Sequence, residues 1–402
     1  MKICGGFYGE FMLHPEHVAS FGSGVRAAAA VAALCSEVEL FTWSANGQID
    51  ELHAICNAYG IKVHRHDRKH AIDFSYVHGC VPPTLIPDLR NIEQTDPMRV
   101  TGDVIVRFGM LEGTAVVDAK WAVFDPQSEV NPEAFHVNGS RARHLAVVLN
   151  ASEAIAMSGK GNPRTAAAEL LKADGAEVVV VKCGLRGALV ATPKKQEWVA
   201  AYKTPSVFPL GSGDVFTAAF AYHWAVKRKS PTRAAQLASL ATAHYCANRY
   251  LPLPVDYERE AKKRYPPVRA RAKYETVYLA GPFFSLGERW LIEQLRNALL
   301  ESGLKVFSPL HDVGHGEATH VGPADLKGLG KAGVVLACMD GMDSGTVFEV
   351  GYARSQGIPV VALSTKSVAE DLTMIVGSGC AVVHDVPSAV YRAGWIAAEG
   401  AA

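Results

Sequence analysis

Two carboxylates stand where α/β proteins do chemistry. The first, Asp214, ends the run "PLGSGD" and opens the helical pattern "VFTAAFAYHW". Gly211 and Gly213 let the backbone turn tightly and approach a ligand closely. The helix that follows aims free N–H groups and the positive end of its dipole back at Gly211, Ser212 and Gly213, which makes them an anion hole. Asp214 at its mouth can take the proton of a substrate hydroxyl while those N–H groups hold the charge growing on a transferring phosphoryl group. The plain alternative is an Asp N-cap after a Gly-rich turn.

The second carboxylate is Glu349, in "DSGTVFEVGYARSQGIPVVAL". It sits among Val347, Phe348, Val350 and Tyr352. A structural role is at hand: Thr346-x-x-Glu349 fits a capping box, with Thr346 as N-cap and Glu349 at N3, and Asp343 as turn chemistry. A chemical role is suggested by the neighbours. The strand "VVLAC" leads into Asp340, Asp343 and Ser344, and strand ends line the ligand crevice of a parallel sheet. "YLAGPFF" delivers Tyr278, Gly281 and Phe283 to an equivalent edge, where the rings can flank a flat base. Carboxylates with aromatics at one sheet edge suit a ring joined to a sugar.

The elements that must position these residues alternate. "AEVVVVKC" reads as a strand with "RGALVAT" as a hairpin partner, and "SGDVFTAAFAYHWAVKR" and "AAQLASLATAHYCANR" read as helices. Segment 253–273, with Pro266 and Pro267 and many charges, reads as a linker, partly helical. After it, "ETVYLAG", "LKVFSP" and "KAGVVLACM" are strands and "GERWLIEQLRNALLESG" is an amphipathic helix, with Trp290 and Leu291 on its core face. Such repeated order implies mostly parallel sheets covered by helices, hence an α/β fold class. The length of 402 residues exceeds one ordinary domain.

Lys plus Arg equals Asp plus Glu at 40 each, and the zero net charge argues against nucleic-acid and anionic-membrane partners. Eight cysteines without a Cys-x-x-Cys pair favour reduced thiols and a cytoplasmic location. "MKICGGFYGEF" carries no long apolar signal region, and no apolar run reaches the ~18 residues of a membrane span.

Four motifs in order make the first ~250 residues resemble the ribokinase-like (PfkB-type) sugar and nucleoside kinases, a size ordinary for an α/β domain. "FGSGVRAAAAVAAL" resembles the family's substrate loop, with Gly22, Gly24 and Arg26 expected at the substrate. "VVLNASEA" resembles its Asn-x-x-Glu motif, which implies that Asn150 and Glu153 orient Mg2+ through water. "VVVKCGLRGALV" resembles the nucleotide-side strand, placing Lys182, Gly184 and Gly187 at ATP. "GSGD" closes the set, and the family would make Asp214 the catalytic base. The implied architecture is a ribokinase-like α/β/α domain over residues 1–252. Departures are plain. The Asp-Thr pair usual before the Gly-rich loop is absent from "SVFPLGSGD", Glu10 stands where a sugar-binding Asp is common, and Arg26 replaces the usual Asn. Arg26 then either meets an anionic or unusual substrate or is a helix-surface charge. No segment reads clearly as a lid.

Residues 274–402 carry "YLAGPFF", "ADLKGLGKAGVVLACMDG" and "DSGTVFEVGYARSQGIPVV", which resemble the nucleoside 2-deoxyribosyltransferase family and its relatives that hydrolyse nucleoside 5′-monophosphates. The resemblance implies a smaller Rossmann-like (flavodoxin-like) parallel-sheet domain that needs no cofactor. It makes Glu349 the nucleophile at the anomeric carbon, stabilising an oxocarbenium-like transition state. Asp343 would hold the base or assist its protonation as leaving group, Asp325 matches a second family acid, and Tyr278 would orient Glu349 or contact the sugar. Gly281, Pro282, Phe283 and Ser344 would line the substrate site. Gly333 stands where the family often has Asp.

"HRHDRKH", His64 to His70, reads as a solvated polar loop rather than a metal site, and "HDVGHGEATH", His311 to His320, as a polar loop near the second pocket. Together the halves imply an ATP- and Mg2+-dependent kinase fused to an N-glycosidic hydrolase or transferase. Its partner would be a small nucleoside or nucleotide, with no membrane or nucleic acid. Both families imply a homodimer or larger assembly. Two other readings stay open: the second half acts alone while the kinase-like half senses a ligand, or both pockets only bind.

Overall fold

The computed structural model describes residues 1–128, 132–271, 273–366 and 370–400; position 272 of the expected linker lies outside them. The chain divides into two units. The first comprises Met1–Val77, Pro82–Thr204 and Phe208–Pro266; the second comprises Pro267–Ala402 with the short segments His78–Val81 and Pro205–Val207.

The first unit is built on a nine-stranded sheet. From one edge the strands run Gln196–Val199, Ala188–Ala191, Val178–Lys182, Arg141–Asn150, Ala115–Asp125, Met98–Phe108, Lys2–Cys4, Glu39–Ala45 and Lys62–Arg68. All neighbours pair in parallel except the first three strands, where Val178–Lys182 and Ala188–Ala191 form the expected antiparallel pair. "VVVV" shows why this sheet is buried on both sides. Val178 and Val180 face one apolar cluster while Val179 and Val181 face the other. The helices Gly22–Val31, Ser212–Ala221 and Pro231–Asn248 fill the first cluster, and Ala166, Ala167 and Leu170 of Pro163–Ala173 enter the second.

A separate four-stranded sheet orders His17–Ser20, Gly9–Met12, Asp73–Tyr76 and Thr84–Ile86. It escaped sequence reading because each strand is very short. "HRHDRKH" is not a loop over its first part: His64 to Arg68 belong to the edge strand Lys62–Arg68. Polar and charged side chains on both faces hide such a strand from pattern reading, yet they suit an edge that must not pair with another chain. The segment expected as a linker contains the helix Tyr257–Arg264, and Leu253, Tyr257, Ala261 and Tyr265 are buried in the first unit's core.

The second unit has a five-stranded parallel sheet in the order Lys305–Phe307, Thr276–Ala280, Val334–Cys338, Val360–Leu363, Ala381–Val383. Numbered along the unit this is 2-1-3-4-5, the flavodoxin-like order, whose ligand crevice opens between the first and third strands. Tyr278 lies on the first strand, and the segment leading to Glu349 follows the third. Trp290 is not on a core face: it is 44% exposed, and Ile292, Leu295, Ala298 and Leu299 form the buried stripe of its helix. Among the described residues no helix is long and apolar enough to cross a membrane.

Candidate active sites

In the first unit Gly211 is the N-cap of Ser212–Ala221, at φ +73°. A Cβ at Gly211 would lie 2.1 Å from Arg26 Cδ, and one at Gly213 would lie 3.3 Å from Lys182 Nζ. The two glycines therefore admit two cationic side chains against the helix N-terminus. Asp214 follows in the first turn and is buried. Its Oδ1 accepts from Gln127 Nε2 at 2.7 Å and its Oδ2 from Arg26 Nη1 at 3.2 Å. Burial raises its pKa to about 6, against the pull of Arg26 and Lys182, with Asp125 and Glu10 adding to the rise.

Arg26 is not a surface charge; it is buried. Glu10 grips it with both oxygens: Nη1 donates to Oε1 at 2.9 Å, Nη2 donates to Oε2, and Gly22 N–H also reaches Oε1 at 3.1 Å. Burial works against the Glu10 carboxylate, yet Arg26, His17 and the Gly22 N–H hold its pKa at about 2. Gly22 and Gly24 serve close packing, since a Cβ would lie 2.6 Å from Gly6 O at the first and 2.5 Å from Gly5 O at the second.

On the other side Lys182 Nζ donates to Asp125 Oδ2 at 2.6 Å, and Thr217 Oγ1 donates to the same oxygen at 2.8 Å. Burial opposes the Lys182 charge, but Asp125, Glu153 and Asp214 raise its pKa. Asn150 pairs with Lys182 across neighbouring strands. Asn150 and Glu153 form a capping box: Glu153 N–H donates to Asn150 Oδ1 at 2.8 Å, and Asn150 N–H to Glu153 Oε2 at 2.7 Å. They offer oxygen donors only, the kind Mg2+ takes through water. Among the described residues no group of three or more His, Cys, Asp or Glu is placed to hold a metal. Gly184 and Gly187 make the turn after Lys182, and a Cβ at Gly187 would lie 2.0 Å from Val199 O. Sequence reasoning missed Asp125 and Gln127. The only signal was an Asp ending the apolar strand "WAVFD".

In the second unit Tyr278 is fully buried and its hydroxyl donates to Glu349 Oε1 at 2.5 Å. Its ring stacks on Phe307 at 5.4 Å, and Gly328 leaves room for that ring. Glu349 lies in the second turn of the helix Ser344–Ser355, so it does not cap it. Asp343 is the N-cap, accepting at Oδ2 from Thr346 N–H at 2.8 Å and Thr346 Oγ1 at 2.9 Å. The cap thus sits three residues before the expected one, because a left-handed turn at Gly341 (φ +81°) and Met342 (φ +48°) starts the helix early. Burial raises Glu349 to about 7; the Tyr278 hydroxyl opposes this, and Asp325 and Asp343 add to it. Burial also raises the Asp325 pKa, and its Oδ1 is buried with no hydrogen-bond partner among the described residues.

Tyr278, Glu349, Asp325 and Asp343 are therefore brought together, and other expected residues serve around them. Asp340 is structural, accepting from Thr365 N–H at 2.8 Å and Lys366 N–H at 3.0 Å. Gly281 is needed for packing, since its Cβ would lie 2.8 Å from Ile292 Cδ1. Pro282 is buried beside it, Ser344 is exposed at the helix start, and Phe283 meets the His315 ring at 5.8 Å. His311 is held by Glu293 at 2.8 Å and Ser308 at 3.0 Å. Gly333 is structural: a Cβ there would lie 2.2 Å from Glu275 Cβ.

One unit thus gathers Asp214, Arg26 and Lys182 at a helix N-terminus, and the other gathers Tyr278, Glu349, Asp325 and Asp343. Residues 144–250 match the family model of pfkB family carbohydrate kinases, and residues 277–381 match that of nucleoside 2-deoxyribosyltransferases. The chain therefore joins a kinase-like segment within a nine-stranded α/β unit to a deoxyribosyltransferase-like segment within a five-stranded parallel-sheet α/β unit. Similar solved structures include ribokinase from Thermotoga maritima, 18% identical over 65% of this chain and 99% of that one, with a TM-score of 0.49. Adenosine kinase from Sinorhizobium meliloti is 16% identical over 65% and 98%, with a TM-score of 0.45. A pyrophosphate-dependent kinase in the ribokinase family, complexed with a pyrophosphate analog and myo-inositol, is 15% identical over 65% and 100%, with a TM-score of 0.46. No curated protein matches the chain.

Proposed function

We propose that the protein is a bifunctional nucleoside-processing enzyme: the first unit phosphorylates a nucleoside or sugar hydroxyl, and the second cleaves or transfers the N-glycosidic bond. The observation that carries the second activity is Glu349 itself. It is freed from capping, half-buried beside Asp325 and Asp343, and aimed by the Tyr278 hydroxyl. Glu349 attacks the anomeric carbon as the bond to the base breaks, giving a glycosyl-enzyme that water or a second base resolves. Asp343 spends Oδ2 on its cap and keeps Oδ1 for the base. Asp325, with a raised pKa and an unpartnered oxygen, supplies the proton to the leaving base.

In the first unit Asp214 takes the acceptor's proton, and the N-terminus of its helix holds the phosphoryl charge. Gly184 and Gly187 border the ATP site. Asn150 and Glu153 would hold Mg2+ through water, and the ion would supply positive charge against the donor phosphates. A kinase that makes a nucleoside 5′-monophosphate beside a glycosidase that cleaves it raises the local concentration of the intermediate.

A second reading has its own observation. Both Asp214 oxygens already accept side-chain hydrogen bonds, which suits a unit that senses a ligand while the second acts alone. The deciding experiment is mass spectrometry on a nucleoside panel with and without Mg-ATP. Base plus sugar 5-phosphate only with ATP supports the coupled reading, and this ATP-dependent release must vanish in Asp214→Asn while cleavage of added monophosphate persists. Base release independent of ATP supports the second reading. Turnover unaffected by either Asp214→Asn or Glu349→Gln refutes both.

A further inference from the structure

The Glu10–Arg26–Asp214 chain is the least expected feature of the first site. A buried arginine bridges two buried carboxylates, one on a strand of the four-stranded sheet and one in the first turn of the helix Ser212–Ala221. Glu10 holds the guanidinium at both ends, so its orientation toward Asp214 is fixed rather than sampled. Gly211 gives the guanidinium the space to lie against the anion-hole loop. Gln127 holds the other oxygen of Asp214. The carboxylate plane is thus set by two donors of unequal charge.

We propose that Glu10 and Arg26 form a positioning pair for Asp214: Arg26 keeps Asp214 an anion with Oδ2 fixed, and Glu10 tempers how strongly it does so. As a role in catalysis this rests on the phosphoryl-transfer reading of the first unit; as electrostatics it stands without turnover. Removing Arg26 removes the nearest positive charge, so Asp214 must bind its proton more tightly. Removing the Glu10 charge takes away a repulsive neighbour and leaves Arg26 to Asp214, so Asp214 must bind its proton less tightly. The other groups that face this cluster are Asp125 and Lys182 at the main-sheet edge, Tyr76 on the small sheet, Tyr245 beside Arg26, and His17 at 3.9 Å from Glu10. None of them changes in these substitutions.

The test is a carboxyl-13C NMR titration of the full chain labelled at Asp side chains, with the Asp214 signal identified by its loss in Asp214→Asn. The wild-type midpoint is expected near about 6. Arg26→Gln should move it up by about 1–3 pH units, the effect of a charge at this range. Glu10→Gln should move it down, and Arg26→Lys should leave it close to wild type. General loosening of the site would shift both neutralising variants the same way, and that result overturns the proposal, as does an unmoved midpoint. Should Arg26→Gln not fold, the downward shift of Glu10→Gln and the unshifted Arg26→Lys decide alone. The same samples are assayed for phosphoryl transfer from Mg-ATP to a mixture of the common ribonucleosides and ribose. Opposite midpoint shifts without any wild-type transfer sink the kinase reading and leave the pair standing. Transfer with unmoved midpoints does the reverse.

Discussion

Replacing Tyr278 by Phe removes one hydroxyl and leaves the ring stacked on Phe307. The lost bond is the 2.5 Å contact to Glu349 Oε1, and that hydroxyl is the one neighbour lowering the Glu349 pKa. Hydrogen bonds to charged groups contribute roughly 1.5–3 kcal/mol. The protonated acid also accepts from the hydroxyl, so the difference between the two forms falls just below that range, about 1.4 kcal/mol or one pH unit. Glu349 should then rise from about 7 to roughly 8. At neutral pH the ionised fraction falls from about a half to about a tenth, so glycosidic cleavage should slow about fivefold and recover in alkaline buffer. The assay is kcat/KM against pH for base release from the best substrate of the nucleoside panel. A loss of the same size at every pH would mean that Tyr278 acts on the sugar and not on the ionisation of Glu349. A limb that moved to lower pH would refute the electrostatic argument outright.

Glu349→Gln should remove activity yet stabilise the second unit in alkaline buffer. The folded pKa lies above the unfolded value, so the wild type is at no disadvantage below about 4.5, loses stability as pH rises, and is behind by about 3 kcal/mol above about 7. Hydrogen exchange in the core strand Val334–Cys338 reads this, and a difference independent of pH would contradict it. Gly333→Asp should destabilise the same unit by about 1–3 kcal/mol, because its Cβ meets Glu275 Cβ at 2.2 Å; an unchanged melting temperature would show that the strand can shift. Asp343→Ala should cost about 0.5–2 kcal/mol through the lost cap, whereas Asp343→Asn should keep the cap and lose activity. Equal stability of the two variants would refute the capping assignment.

Much of this was legible from local pattern, and the failures have a common cause. The Gly-rich run before Asp214 and the Glu-x-Gly-Tyr-Ala around Glu349 are short-range signals, and the strands that carry them follow from apolar runs. The cap of the second helix was misread because Asp343-x-x-Thr346 and Thr346-x-x-Glu349 are equally good local solutions. What separates them is the left-handed turn at Gly341 and Met342, whose conformation at Met342 no propensity favours. Arg26 was undecidable for another reason: its partners lie 16 and 188 positions away. A charge near an apolar helix looks like a surface residue until both carboxylates are placed. Asp125 and Gln127 carried no motif spacing, and their importance comes from the parallel register that sets Asp125 beside Lys182 and Thr217.

The two sites solve one electrostatic problem in opposite ways. Each buries a carboxylate and so raises its pKa, Asp214 to about 6 and Glu349 to about 7. Asp214 is then surrounded by cations, Arg26 on one side of the helix N-terminus and Lys182 on the other. Among the described residues no cation acts on Glu349; its neighbours are a neutral hydroxyl and two further acids. Under the proposed activities the difference follows the charge of what each site would stabilise. Phosphoryl transfer gathers negative charge, so a base there gains from fixed positive neighbours. Glycosidic cleavage develops positive charge on the sugar, so an acidic surround lowers its barrier, and a nearby arginine would raise it. Removing one of those acids, as in Asp343→Asn, should therefore lower the Glu349 pKa and yet slow cleavage even where Glu349 is fully ionised. Faster cleavage at every pH would show that ionisation of the nucleophile, and not charge on the sugar, limits the second site.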